Sequence, residues 1–158
     1  MSSLDVNELI RHALALEHSD LRKHGILVQA EPDRELPDVS GNRVQLQQVL
    51  LNLITNAIDA MASRDQPRVL FVKTAPHGGD EVVISVADTG PGIGAQDAER
   101  TFNPLFTTKS DGMGMGLSIC RAIVEAHHGR LWVTQNAPRG ALFQFTLRAI
   151  NPASTGTA

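Results

Sequence analysis

The sequence predicts an α/β chain of the two-layer α+β sandwich kind, with a mixed, mostly antiparallel sheet of about five strands covered on one face by three helices. Three observations carry this expectation. Three stretches repeat apolar residues at helical spacing, five shorter ones are rich in β-branched and aromatic residues, and four of those five form two pairs joined by turn-forming residues. The 158 residues are 42% hydrophobic and no internal linker divides them, so one well-cored domain is expected.

The first helix is expected over Leu4 to Glu17, where Val6, Leu9, Ile10, Ala13, Leu14 and Leu16 recur at mostly helical spacing and Asp5 is placed as N-cap. Gly25 closes the basic run L-R-K-H, and I-L-V-Q-A beyond it reads as a strand stopped by Glu31-Pro32. A short extended piece is expected around Asp38 to Ser40. Asn42 is a good N-cap for a long helix from Arg43 to Met61, whose apolar stripe is Leu46, Val49, Leu50, Leu53, Ala57 and Met61. R-V-L-F-V-K-T-A and E-V-V-I-S-V-A-D, joined by P-H-G-G-D, should then pair antiparallel. From Ile93 to Asp111 no period persists, and Gly94, Pro104 and Gly112 interrupt or bracket a stretch that reads as a lid. Met115, Leu117, Ile119, Ala122, Ile123 and Ala126 mark the last helix, ending near His127-His128-Gly129. R-L-W-V-T-Q and A-L-F-Q-F-T-L-R close the fold, joined by N-A-P-R-G. Residues 1–4 and 149–158 are expected to be loose ends around a domain at 5–148.

Composition narrows the function classes. A net charge of -3 with 20% charged residues leaves no basic stripe for nucleic acid. The longest apolar runs, such as Val49 to Leu51 and Val82 to Ile84, are far short of a membrane span, and no signal peptide opens the chain, so a soluble, cytoplasmic domain without membrane contact of its own is expected. The single cysteine, Cys120, excludes an internal disulfide and reads as a small core residue. His127 and His128 have no Cys or acidic cluster beside them and read as helix C-terminal residues favoured by the dipole.

The chemistry-bearing residues gather in two places. At about 100° per residue, Gln48, Asn52, Asn56 and Asp59 fall along one side of the long helix, beside its apolar stripe. Asparagine is a poor helix-interior residue, so two of them one turn apart need a reason. Their oxygens suit a hard cation such as Mg²⁺, which keeps waters and leans on ligand phosphates; a pair of solvated or hydrogen-bonded amides is the alternative. The second place opens at Asp88, at the end of its β run, where a carboxylate can accept from an exocyclic amine or open a tight turn. Beyond it, D-T-G-P-G-I-G and G-M-G-M-G flank a segment with Thr107, Thr108 and Lys109. Gly112, Gly114 and Gly116 allow close backbone approach, and the helix start beside them offers N–H groups and a positive dipole end to phosphate oxygens. An ordinary glycine-rich loop fits the same letters, but the combination with the two asparagines favours an anion site. The patterns G-x-x-x-x-G-K-[ST] and G-x-G-x-x-G are both absent, so such a site is of another type.

N-L-I-T-N-A-I-D-A, D-T-G-P-G-I, F-N-P-L-F-T-T-K and G-M-G-M-G-L-S-I resemble, in order, the N, G1, F and G2 boxes of sensor histidine kinases. The wording is similar to oxygen- and nitrogen-responsive two-component kinases. The resemblance covers about residues 5 to 148 and implies a catalytic ATP-binding domain with the Bergerat fold and an ATP lid. It makes Asp88 the reader of the adenine amino group, with Gly90, Gly92 and Ile93 shaping the adenine loop. Asn56 would ligate Mg²⁺ and Asn52 would assist. Lys109, with Thr107 and Thr108, stands where the family approaches the terminal phosphates, and Gly112, Gly114, Gly116 and Leu117 are where lid and helix start wrap the triphosphate.

Hydrolysing members of the superfamily resemble E-x-x-x-N-A, whereas this chain has Asn52-x-x-x-Asn56-Ala57. An amide cannot serve as general base, which favours phosphoryl transfer to an external nucleophile over water attack. The family's phosphoacceptor is a helical His followed by an acidic residue, and none of His12, His18, His24, His77, His127 or His128 is so followed. The expectation is a catalytic domain that serves a histidine on a dimerisation/phosphoacceptor domain outside this sequence, with a response regulator downstream. Asn42 stands where relatives often have Asp; either caps a helix. Rival expectations are an anti-sigma-type serine kinase, which resembles this F-T-T-K lid poorly, a non-catalytic nucleotide-responsive binding module, and a free-standing ATPase.

Overall fold

The computed structural model describes residues 2–62, 67–92, 113–136 and 139–150. Along the chain run β1 (Ser2–Leu4), α1 (Val6–Leu16), α2 (His18–Lys23), β2 (Ile26–Glu31), β3 (Val39–Gly41), α3 (Arg43–Met61), β4 (Arg68–His77), β5 (Glu81–Ala87), α4 (Met113–Ala126), β6 (Leu131–Gln135) and β7 (Ala141–Arg148). Five strands form one sheet in the order β2-β4-β5-β7-β6, and β1 with β3 forms a separate two-stranded ribbon. The two expected hairpins are present: β4 pairs with β5 and β6 with β7, both antiparallel. β7 also pairs antiparallel with β5, which places it inside the sheet. β2 lies parallel to β4, as it must when α3 carries the chain back across the sheet between them.

The period of two along the strands sorts residues onto two faces. Val72, Val86, Phe143 and Val133 are register partners across four strands, and Ile84, Phe145 and Leu131 form the next row. All are buried in one core with Val6, Leu9, Ile10 and Ala13 of α1, Leu46, Val49, Leu50, Leu53, Ile54, Ala57, Ile58 and Met61 of α3, and Leu117, Cys120 and Val124 of α4. Burying a side chain of this size contributes about 1.5–3 kcal/mol over leaving it exposed. The opposite sheet face carries the partly exposed Phe71, Lys73, Ser85 and Gln144, with Gln144 Nε2 donating to Ser85 Oγ at 3.1 Å. An open concavity of about 480 Å³ lies there, away from the helices. Among the described residues no helix is long and apolar enough to cross a membrane.

Both expected N-caps form. Asp5 Oδ1 accepts from the Glu8 N–H at 3.3 Å and Asn42 Oδ1 from the Gln45 N–H at 3.0 Å. Three expectations need correction. Residues 2–4 are not a loose end: they pair with β3 in the register Ser2↔Gly41 to Leu4↔Val39, and Leu4 is buried there at 5% exposed. At the other end Ala149 bridges Val39, and the Ala149 and Ile150 N–H groups donate to Asp80 and Asp38 carbonyls, so the folded unit exceeds 5–148; residues 151–158 lie outside the described set. The first helix stops at Leu16, and α2 follows at once, a fourth and short helix whose single buried residue, Leu21, leaves no period to read.

The third correction concerns His127. It is 3% exposed, its Nε2 accepts from the Asn42 N–H at 3.0 Å, and its Nδ1 faces the Ile123 carbonyl oxygen at 2.8 Å. The ring is therefore a buried clamp between the end of α4 and the start of α3, more than the helix-end residue that the sequence implied. His128 follows at φ 66, with its N–H donating to the Glu125 carbonyl and that of Gly129 to Val124, the paired bonds of a Schellman stop.

Candidate functional site

Asp88 is the residue after β5 and is 2% exposed. Burial of a carboxylate requires donors, and backbone supplies them: Oδ1 accepts from the Gly90 N–H at 2.8 Å and from the Ala141 N–H at 3.2 Å. The Asp88 N–H in turn donates to the Ala141 carbonyl at 3.0 Å, and the Asp88 carbonyl accepts from Asn136 Nδ2 at 2.9 Å. Thr89 anchors the next step of the loop, its Oγ1 accepting from the Val69 N–H at 3.1 Å and donating to the Pro67 carbonyl at 3.0 Å. The loop is therefore fixed from β4, from β7 and from the β6–β7 turn.

The glycines of this loop answer to close contacts. A Cβ on Gly90 would lie 2.8 Å from the Ala60 carbonyl oxygen in the last turn of α3. Gly92 has φ +83, and a Cβ there would lie 2.8 Å from the Gly140 carbonyl oxygen. Both positions exclude side chains for reasons of space, and Gly92 also for its backbone angle.

On α3, Asn52 and Asn56 are half-buried on the same side of the helix. Asn52 is a strut: its Nδ2 donates to the Gly116 carbonyl in α4 at 3.4 Å, and its Oδ1 accepts from Gln48 Nε2 at 2.9 Å. Asn56 makes no side-chain hydrogen bond among the described residues, which leaves its oxygen for a ligand. Below Asn52, burial pushes the Cys120 thiol up to about 11, with an Asn52 hydrogen bond acting the other way, so this cysteine is an inert core residue, as the sequence implied.

Gly114 and Gly116 lie inside α4, which begins at Met113. A Cβ on Gly116 would sit in ordinary contact, 3.5 Å from Asn52 Nδ2, so space there does not demand glycine. The Leu117 side chain belongs to the core at 6% exposed. Ile93, Thr107, Thr108, Lys109 and Gly112, and with them the expected lid, lie outside the described residues. Among the described residues no three His, Cys, Asp or Glu side chains gather as a metal site. A neutral asparagine oxygen is a donor of the kind that suits Mg²⁺, which takes few protein ligands and completes its shell with waters and substrate phosphates.

Sequence reasoning missed Asn136, Gly140, Ala141 and Thr89. N-A-P-R-G shows only a turn, and nothing local in it reveals that β7 pairs with β5 and so carries the turn to Asp88. A signal existed for Thr89, a hydroxyl beside a buried acid, but its partners lie 20 and 22 positions away.

Residues 41–151 match the histidine kinase-, DNA gyrase B- and HSP90-like ATPases. Sensor protein FixL of Bradyrhizobium diazoefficiens is 43% identical over 144 residues, which are 91% of this chain and 28% of FixL. C4-dicarboxylate transport sensor protein DctS of Rhodobacter capsulatus is 41% identical over 150 residues, 93% of this chain and 22% of DctS. The chain thus spans roughly a quarter of the length of these relatives. A nucleotide-free catalytic domain of the histidine kinase ThkA is similar with a TM-score of 0.84 at 36% identity, covering 94% of this chain and 95% of that one. ThkA in complex with response regulator protein TrrA gives 0.80 at 33% identity, over 94% of this chain and 42% of that one. The chain belongs to the histidine kinase-, DNA gyrase B- and HSP90-like ATPase family, as an ATP-binding domain of the sensor histidine kinase kind.

Proposed function

We propose that this domain binds Mg²⁺-ATP and transfers the γ-phosphate to a histidine on a dimerisation/phosphoacceptor domain of its parent kinase, from which a response regulator is then served. The observation that carries the reading is the buried Asp88, held through Oδ1 by two backbone N–H groups at the end of β5. A carboxylate so fixed accepts from the adenine amino group with little loss of entropy on binding.

Asn56, assisted by Asn52, is the pair that would hold Mg²⁺, and the cation when bound neutralises charge on the phosphates. Lys109 adds a second positive charge for the terminal phosphates, and Gly112, Gly114 and Gly116 bring backbone N–H groups near them. Transfer of this kind needs positioning and charge stabilisation far more than a base on the donor domain. Asn52 fits that demand: it sits where a water-activating Glu stands in hydrolysing relatives, cannot take a proton, and is engaged in joining α3 to α4. A response regulator as downstream partner is supported by the ThkA–TrrA complex, and dependence on ATP supports a cytoplasmic setting.

Asp88→Asn tests the base assignment. An asparagine retains an oxygen for the Gly90 and Ala141 N–H groups but puts an NH₂ donor where the carboxylate accepted. Calorimetric titration should show ATP binding about 10–100-fold weaker, the worth of one charged hydrogen bond. Equal affinity in the two proteins would sink the assignment.

A further inference from the structure

We propose that Asn136 is a positioning residue for base selection: its side-chain amide holds the Asp88 peptide, and through it the carboxylate, at the setting that distinguishes a 6-amino purine from one lacking the amine. This rests on the reading of Asp88 as acceptor for the adenine amino group.

The geometry is specific to the loop–turn junction. Asn136 is half-buried just past the end of β6, where its own N–H donates to the Gly140 carbonyl at 2.9 Å and closes the mouth of the β6–β7 turn. From that fixed base its Nδ2 reaches the Asp88 carbonyl, 48 positions away in sequence, at 2.9 Å. The Asp88 carbonyl is pressed against Gly140, whose φ is +105 and whose missing Cβ would overlap that oxygen. Gly92, at the far side of the same loop, abuts the Gly140 carbonyl and Gln135 Oε1. The turn thus seats the base-reading loop at both of its ends. Asn136 supplies a side-chain hydrogen bond to the Asp88 carbonyl, beside the strand bond that the Asp88 N–H donates to the Ala141 carbonyl.

Removing that amide releases the carbonyl without touching the Oδ1 bonds from Gly90 and Ala141. The peptide between Asp88 and Thr89 then loses one restraint, and the aim of the carboxylate at the amine rests on its Oδ1 bonds alone. On this reading the defect is confined to the base.

The test compares ATP with purine riboside 5′-triphosphate, which lacks the 6-amino group, by titration into the intact domain, the Asn136→Ala variant and the near-isosteric Asn136→Asp variant, each checked for a native melting curve. The unaltered domain should prefer ATP about tenfold or more, as one hydrogen bond to a charged group predicts. In both variants ATP affinity should drop about five- to tenfold while the analogue binds as before, so the preference collapses. A preference that survives in a folded variant, or equal weakening of both nucleotides, overturns the role given to Asn136. Failure of the unaltered domain to discriminate at all overturns the reading of Asp88 instead, and the two failures cannot be confused.

Discussion

At the scale of single residues, the site is a buried acid whose partners are mostly backbone. That explains what could be read in advance. Asp88 drew notice at the end of a β run before a glycine cluster, where a carboxylate reads as an acceptor or as the start of a tight turn, and Asn56 because a second asparagine one turn after Asn52 is costly inside a helix. Asn136 was not, since it works through a main-chain carbonyl brought near only by the pairing of β5 with β7. Another residue outside the site has a pH signature of its own. Glu17, between α1 and α2, has a buried Oε1 without a partner, and its pKa is raised from 4.5 by desolvation first and by the Asp20 charge second. A carboxyl whose folded value lies above its unfolded one is a burden once ionised: the fold gains as pH falls through the folded value and is penalised above it. Glu17→Gln should therefore raise the melting temperature at neutral pH. The gain should fade as the pH falls through the raised folded value and be gone below 4.5, the ordinary value of the group. An advantage that persists unchanged in acid would assign the effect to packing rather than charge.

At the scale of elements, α3 is the organising piece: one side joins the core, another presents Asn52 and Asn56, and its last turn receives Gly90. Its N-cap and most of its stripe were legible, though Ile54 and Ile58 are buried as well, and both hairpins were legible, because each rests on local chemistry. α2 was not, for it has one buried residue and no repeat, and the N-terminal ribbon was not, for Ser2–Leu4 is a strand only by virtue of Val39–Gly41. His127 was placed correctly at a helix end, but its part in tying α4 to α3 was not legible, since its partner at Asn42 is 85 positions away. The clamp has a measurable value. His127→Ala removes the acceptor for the Asn42 N–H and opens a gap beside Gly41 and Leu46, so unfolding in denaturant should show a loss of about 1–3 kcal/mol. A change below about 0.5 kcal/mol, the range of neutral surface substitutions, would show that the start of α3 is held by other means.

At the scale of the whole molecule, the fold puts the loop after β5, the asparagine face of α3 and α4 on elements that share one core. Arg68 adds to this unity, its guanidinium donating to the His24 carbonyl at 2.7 Å and the Ala62 carbonyl at 3.0 Å, so the ends of α2 and α3 are tied to the start of β4. Fold class was legible because period and hairpin punctuation report layers; strand order was not, because β7 enters between β5 and β6 by long-range pairing. On the proposed reading, such a scaffold prepares ATP for transfer to a histidine on another domain. The most direct measurement supplies the protein with Mg²⁺, γ-labelled ATP and a separate histidine-phosphoacceptor domain, and follows the label. The account predicts acid-labile, alkali-stable phosphate on the acceptor's histidine, reduced about 100-fold or more in Asn56→Ala through lost charge stabilisation. Label appearing as free phosphate at one rate with or without the acceptor, or ATP bound and never transferred, would contradict it.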